Sequence, residues 1–285
     1  MNAPPEVLER LVFSAGAQDY RWADIVAAAR SWGRWNGTER PARSSLGEEE
    51  AEEAGEAFRY ERNLLAAEEM EAWLGHWGLT AAQWKSWLRG ESDVWTEAVC
   101  SGALAGLARD LAARAAAAEA RGSGAGPVAT ELERMDTAFD ELARSSLRDE
   151  DRSRLLEARS SDWVRVHYRT LAFPELEMAR EALLCLKEDG LTLAEVAERS
   201  GADAEDREGL VSDIEPDLAK TLLGTPAGEI AGPLPLDGRF LIAHVQEKVL
   251  PTPGDPGVRE LVDRELSRRA VEREVRNRVR WHDRL

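Results

Sequence analysis

Residues able to do chemistry are few: four histidines and two cysteines in a chain of 285. Between Trp163 and Pro251 some of them fall among words that read as one mixed α/β unit. His167 sits in the run Val164 to Leu171, where even positions from 164 to 168 are apolar or aromatic, the period of a half-buried strand. His244 sits near the end of a second such run, Arg239 to Val245. Two strand histidines are candidates for proton chemistry near neutral pH; the competing reading makes each a surface or half-buried residue without a partner. Tyr168, beside His167, carries a phenol that needs a partner if buried and could donate to a peptide carbonyl. The isolated histidines and cysteines give no metal-ligand spacing, and there is no phosphate loop or nucleophile elbow. No cofactor and no metal are expected.

The elements that must position these residues are legible in the same stretch. A helical run from Glu177 to Glu188 carries Met178, Leu183, Leu184 and Leu186 and is stopped by Gly190. Thr192-Leu193-Ala194-Glu195 is a capping box, with Leu191 placed to staple onto Val196, so a second short helix runs to about Ser200. A helix after Pro216 carries Leu218, Leu222 and Leu223. Gly228 to Leu234, an Asp237-Gly238 turn and the Arg239 to Val245 strand close the unit.

This order, with the words VRVHYRTL, LTLAEVAERSG, PAGEIAGPL and GRFLIAHVQEK, resembles the parvulin (PpiC-type) peptidyl-prolyl isomerase domain over roughly a third of the chain. The resemblance implies a small antiparallel sheet with an apolar proline pocket. In that family two buried histidines, on the first and last strands, hold each other and a nearby Cys, Asp or Ser. Isomerisation breaks no bond; the barrier is amide resonance, about 18–20 kcal/mol for an ordinary peptide bond, and the site must bind the twisted amide better than the planar one. Matching the words puts Tyr168 at the first histidine position, with His167 one place early, and Leu241 or Phe240 at the second. A one-residue slip turns a strand side chain to the opposite face. Cys185 lies in the first helix, away from the family's third polar residue. The expectation is therefore a domain that binds peptide without isomerising it, with a pocket walled by Tyr168, Leu218, Leu222, Leu223, Phe240 and Leu241; the bland reading of the leucines is ordinary core. The alternative keeps His167 and His244 as a catalytic pair, should both strands sit one residue out of the matched register.

Length fits two domains better than one. Apolar and charged contents of 43% and 32% suit a folded, mostly helical protein. A net charge of −17 argues against nucleic acid as the main partner, although Val258 to Leu285 holds nine arginines against six acids. No run approaches the roughly 20 apolar residues of a membrane span. The first residues carry no basic region or apolar signal core, and Cys100 and Cys185, far apart, read as free thiols of a reducing cytoplasm.

Residues Glu6 to Trp35 read as one or two helices. The pattern breaks from Gly33 to Ala54, at Asn36-Gly37, Pro41 and Gly47, and the acidic run Glu48 to Glu53 reads as a solvated loop or exposed helix start, or as an acidic docking strip. An apolar face runs from Phe58 to Trp77; Thr80 and Gln83 form a second capping box; five tryptophans fall between 73 and 95, at spacing that favours a packed interface over a binding surface. A long Ala-rich helix is expected from Val94 to Arg121, a flexible connection from Gly122 to Pro127, and two more helices before Trp163. From Asp255 onward the chain reads as one amphipathic helix. The expected architecture is α+β: a mainly helical domain at 1–160, a small parvulin-like antiparallel-sheet domain at 161–252, and a C-terminal helix at 253–285 packed on the helical domain. A helical module built from both chain ends resembles the SurA and trigger-factor style of chaperone, in which the helical part cradles extended clients. Three functions follow: a non-catalytic chaperone or escort for an unfolded peptide or for a ribosomally made precursor peptide during maturation; an active prolyl isomerase; or a helical adaptor for a peptide-modifying enzyme. No nucleic acid or membrane partner is expected.

Overall fold

The computed structural model describes residues 3–35, 47–122 and 128–285. Asn36-Gly37, Pro41 and the Ser123 to Pro127 part of the glycine-rich connection lie outside them. The protein is α+β, with two compact units: Met1–Ser146 together with Ser267–Leu285, and Leu147–Leu266. These joins differ from the ranges expected at 1–160 and 253–285, because 147–160 and 253–266 group with the second unit.

The first unit opens with α1 (Pro5–Leu8), β1 (Leu11–Ala15), β2 (Gln18–Arg21) and α2 (Trp22–Ser31). Reading 6–35 as helix alone is corrected here: Leu11, Val12 and Phe13 belong to a hairpin whose turn has Gly16 at φ +58. α3 (Glu48–Glu61), α4 (Ala67–Trp77), α5 (Ala81–Leu88) and α6 (Val94–Cys100) follow, then α7 (Ala103–Ala120) and α8 (Val128–Ser145). The acidic run is thus the first turn of α3, where carboxylates meet the positive end of the helix dipole. The expected Ala-rich helix is broken at Gly102, φ +76. Its small residues let α7 bury Ala108, Ala112, Ala116 and Ala117 completely. Trp77, Trp87 and Trp95 are buried and Trp73 and Trp84 half-buried, so the tryptophan cluster is core. Thr80 caps α5 as expected, its Oγ1 accepting from Gln83 N at 3.2 Å.

The C-terminal helix is shorter than expected. α13 (Pro256–Arg278) gives way to β7 (Val279–Trp281), which pairs antiparallel with β1 in the order β2-β1-β7. Beyond it His282 N donates to Val12 O at 2.8 Å, and Asp283 Oδ2 accepts from Trp22 Nε1 at 2.8 Å. Arg10 Nη1 donates to His76 Nδ1 at 3.0 Å. Arginine only donates, so His76 accepts there and carries its proton on Nε2, 3.2 Å from Asp283 Oδ1. Asp283, its side chain 11% exposed, is therefore held by a tryptophan, a histidine and Arg10, whose Nη2 lies 3.6 Å away.

In the second unit α9 (Asp149–Ala158) and a short 3₁₀ turn lead to β3 (Arg165–Phe173). α10 (Leu176–Lys187), α11 (Leu193–Ser200), β4 (Asp203–Leu210), α12 (Pro216–Gly224), β5 (Ile230–Leu236) and β6 (Arg239–Val249) follow. The sheet is antiparallel in the order β4-β3-β6-β5. β4, absent from the sequence reading, is an edge strand with six exposed residues in a row. It is tied to β3 by cross-strand pairs such as Arg169–Asp206 at 2.7 Å. Asp237 and Gly238, both at positive φ, make the tight turn between β5 and β6. α9, Trp163 and the first turns of α13 share a separate apolar cluster, fastened by Arg152 on Asp263 at 2.6 and 3.0 Å.

Removing the Asp283 carboxylate strands the Trp22 donor and takes the charge partner from Arg10 and His76, so Asp283→Ala should cost about 3 kcal/mol in urea unfolding of the whole chain. His76 has its pKa lowered from 6.5, first by burial, then by Arg10 and Arg284, against the pull of Asp283. A lowered value means the unfolded chain takes the proton first, so stability is full above 6.5 and is lost as pH falls through the folded value. Denaturation curves at about pH 7.5 and about pH 5 should show that loss, and His76→Gln, which cannot titrate, should shrink it.

Candidate functional site

Strand alternation sorts the side chains of the second unit onto two faces. On one face Val166 and Tyr168 of β3 and Ala243 and Val245 of β6 pack with Leu218, Ala219 and Leu222 of α12. On the other, Leu171 and Phe173 of β3 and Ile242 of β6 pack with Ala179, Ala182 and Leu186 of α10 and with Leu193 and Val196 of α11. α11 starts where the capping box places it, with Thr192 Oγ1 accepting from Glu195 N at 3.3 Å and Glu195 accepting from Thr192 N at 2.8 Å.

The α12 face holds a cavity of about 380 Å³. Its apolar wall is Leu218 of α12, Leu234, Pro235 and Leu236 of β5, and Leu241 of β6; Leu241 lies opposite Leu234 in the ladder. Thr221 joins this wall, and Glu215, Asp217 and Lys220 stand at its rim. Glu215 also caps α12, accepting from Leu218 N at 2.9 Å, which fixes the helix that carries Leu218. The cavity can take an apolar ring or side chain, and none of its lining residues is a histidine or cysteine.

The six residues expected to form the pocket separate in three dimensions. Leu218 and Leu241 line it together. Tyr168 and Leu222, 4% and 0% exposed, lie in the core of the same face. Tyr168 already has its partner: the guanidinium of Arg207, its neighbour on β4, donates toward the phenol oxygen, so that burial pushes the phenol's pKa up and Arg207 pulls it back. Leu223 is half-buried, and its carbonyl accepts from Lys248 Nζ at 2.7 Å. Phe240 packs on the opposite face with the α10 and α11 cluster, a correction that follows from strand alternation, which turns it away from its neighbour Leu241. Leu234 and Leu236 were missed in sequence; their period-2 spacing through Pro235 was the available signal.

The two strand histidines share a face, but not the face of the cavity. His244 has the parity of Ile242, and His167 that of Leu171. The ladder sets His244 beside Arg169 and His167 beside Glu247, across a bulge at His167/Tyr168. Each has a separate partner: His167 Nδ1 is 3.6 Å from Glu208, and His244 Nε2 is 3.3 Å from the Gly228 carbonyl. The thiols are also unsuited to nucleophilic work. Burial pushes Cys100 up to about 12, and Cys185 is raised by burial and by Asp189. Among the described residues no group of three His, Cys, Asp or Glu could hold a metal ion.

No family model matches the chain. No curated protein matches it either. Among solved structures it is similar to the foldase protein PrsA from Streptococcus pneumoniae, at 12% identity over 90% of this chain and 81% of that one, TM-score 0.36. It is similar to a SurA-like chaperone of Campylobacter jejuni, at 10% identity over 97% of this chain and 100% of that one, TM-score 0.24. PrsA from Lactococcus lactis aligns at 8% identity over 96% of each chain, TM-score 0.34. Likenesses at this level leave the functional reading to the geometry of the site.

Backbone near the cavity tolerates little change. Gly232 has φ +118, and a Cβ there would stand 2.6 Å from the Leu241 carbonyl oxygen. Gly232→Ala should destabilise the second unit by about 2 kcal/mol in urea unfolding, and weaken whatever binds beside Leu241.

Proposed function

We propose that the protein is a peptide-binding chaperone whose parvulin-like unit holds client segments without isomerising them. The observation that carries this reading is the α12-face cavity, apolar and about 380 Å³, with Leu241 on its wall and Tyr168 in the core behind. By the resemblance of the words, Tyr168 holds the position of the first histidine of an active parvulin, and Leu241 or Phe240 that of the second. A leucine cannot polarise an amide, and the Tyr168 phenol is engaged by Arg207, so nothing at this face favours the twisted amide over the planar one. The cavity suits a proline or a similar apolar residue, and the carboxylates of Glu215 and Asp217 beside it leave the rim acidic but for Lys220.

The client proposed from the resemblance is an unfolded segment or a precursor peptide under maturation, with a peptide-modifying enzyme as a partner. A cytoplasmic setting is proposed from the two free thiols. No described helix is long and apolar enough to cross a membrane. The pure adaptor reading is less well supported, because the tryptophans of 73–95 are packed, and Tyr60 and Leu65 are the large exposed apolar residues between 58 and 95.

The test is a prolyl isomerase assay on a short Xaa-Pro peptide, run beside a binding titration of the same peptide. The expected result is binding without acceleration of isomerisation, unchanged in His167→Ala and His244→Ala. Leu241→Asp should weaken binding about thirtyfold, the loss of one apolar side chain's burial of about 2 kcal/mol, with the fold intact by circular dichroism. Catalysis abolished by both histidine substitutions would overturn the reading.

A further inference from the structure

A second cavity lies wholly within the first unit, between α4, α7 and the chain following α3 and β7. At about 740 Å³ it falls in the usual range of ligand pockets, roughly 300–1,000 Å³. Leu64, Trp73 and Leu104 supply apolar wall, and His76 stands among them. Its charged groups are mostly cationic: Arg62 and Arg284 against Glu69. Glu69 is turned to other work, its Oε2 accepting from Ala66 N at 2.8 Å at the start of α4. Arg62 is fixed in place, its guanidinium 3.9 Å from the Phe58 ring centre, its Nη2 donating to Cys100 O at 2.9 Å and its Nη1 3.6 Å from the Glu61 carboxylate, which leaves Arg284 as the cation available to a ligand. The Arg284 guanidinium pairs with no carboxylate among the described residues. A cationic mouth over an apolar wall favours an anion that carries an apolar neighbour.

We propose that this cavity binds an acidic residue flanked by a large apolar one in an extended peptide, with Trp73 and Leu104 covering the apolar side chain and Arg284 taking the carboxylate. The site gives the helical unit a client preference of its own. It stands apart from the proline cavity and does not depend on it. His76 serves as a reporter of occupancy: both its nitrogens are engaged by Arg10 and Asp283, and Arg284 is among the charges that depress its pKa. A carboxylate neutralising Arg284 must therefore raise the His76 value.

The experiment titrates the full chain with acetyl-Leu-Leu-Glu amide and, separately, acetyl-Leu-Leu-Gln amide, with His76 followed by NMR. The glutamate peptide should bind about tenfold more tightly, as one charge-assisted hydrogen bond requires. It should raise the His76 pKa, and Arg284→Gln should abolish both effects. Equal affinities, an unmoved His76, discrimination that survives Arg284→Gln, or no binding would each overturn the proposal. Should binding instead be lost only in Leu241→Asp, this site falls while the proline cavity stands.

Discussion

The structure of the helical unit depends on a closure between the two ends of the chain. β7 adds to the β1–β2 hairpin, and Asp283 just beyond it meets Trp22, His76 and Arg10. These partners come from α2, α4 and the turn after α1, so one carboxylate gathers elements far apart in sequence. A carboxylate only 11% exposed needs such partners to replace the water it has lost. Neutral His76 is part of the same balance, because a second proton on its ring would face Arg10 directly. Through this closure residues 267–285 join a unit otherwise made by 1–146, although 147–266 form a compact unit of their own.

Within the second unit the ruling constraint is the period of two along a strand. It sends Leu241 to the α12 face and Phe240 and His244 to the other, whatever their individual chemistry. A residue change at one position can thus remove a catalytic group while leaving the cavity, its helix cap at Glu215 and its β5 wall in place. The same period leaves the strand histidines beside charged neighbours, each with its own hydrogen-bond or ion-pair partner. The acidic edge strand β4 matches its charges to Arg165 and Arg169 of β3. Charge on an exposed edge also discourages pairing with another chain.

Much of the second unit was legible because its signals are local. The capping box at Thr192, the Pro216 helix start and the Asp237-Gly238 turn each state their structure within four residues. The strand order and the separation of Leu218 from Phe240 needed the ladder itself. β4 escaped because Asp203 to Gly209 has no apolar alternation to read; its pairing with β3 makes it a strand. In the first unit Leu11, Val12 and Phe13 follow Leu8 at spacings a helix would also use, and only β2 and β7 on either side of β1 make them a central strand. Trp281 was read into a helix for the same reason, and in the fold its ring lies 5.3 Å from Phe13.

By itself, then, the amino-acid sequence determined the α+β composition, most helix starts and stops, and which strand residues share a face, since caps, turns and periodicity are properties of neighbouring residues. Which faces meet, which residues wall a cavity and which carboxylate closes the chain on itself were decided only by the tertiary structure. Leu234 reaches Leu241, and Asp283 reaches Trp22, through the backbone pairing and packing of distant segments. No local pattern encodes those distances, because they are set by the free energy of the whole fold.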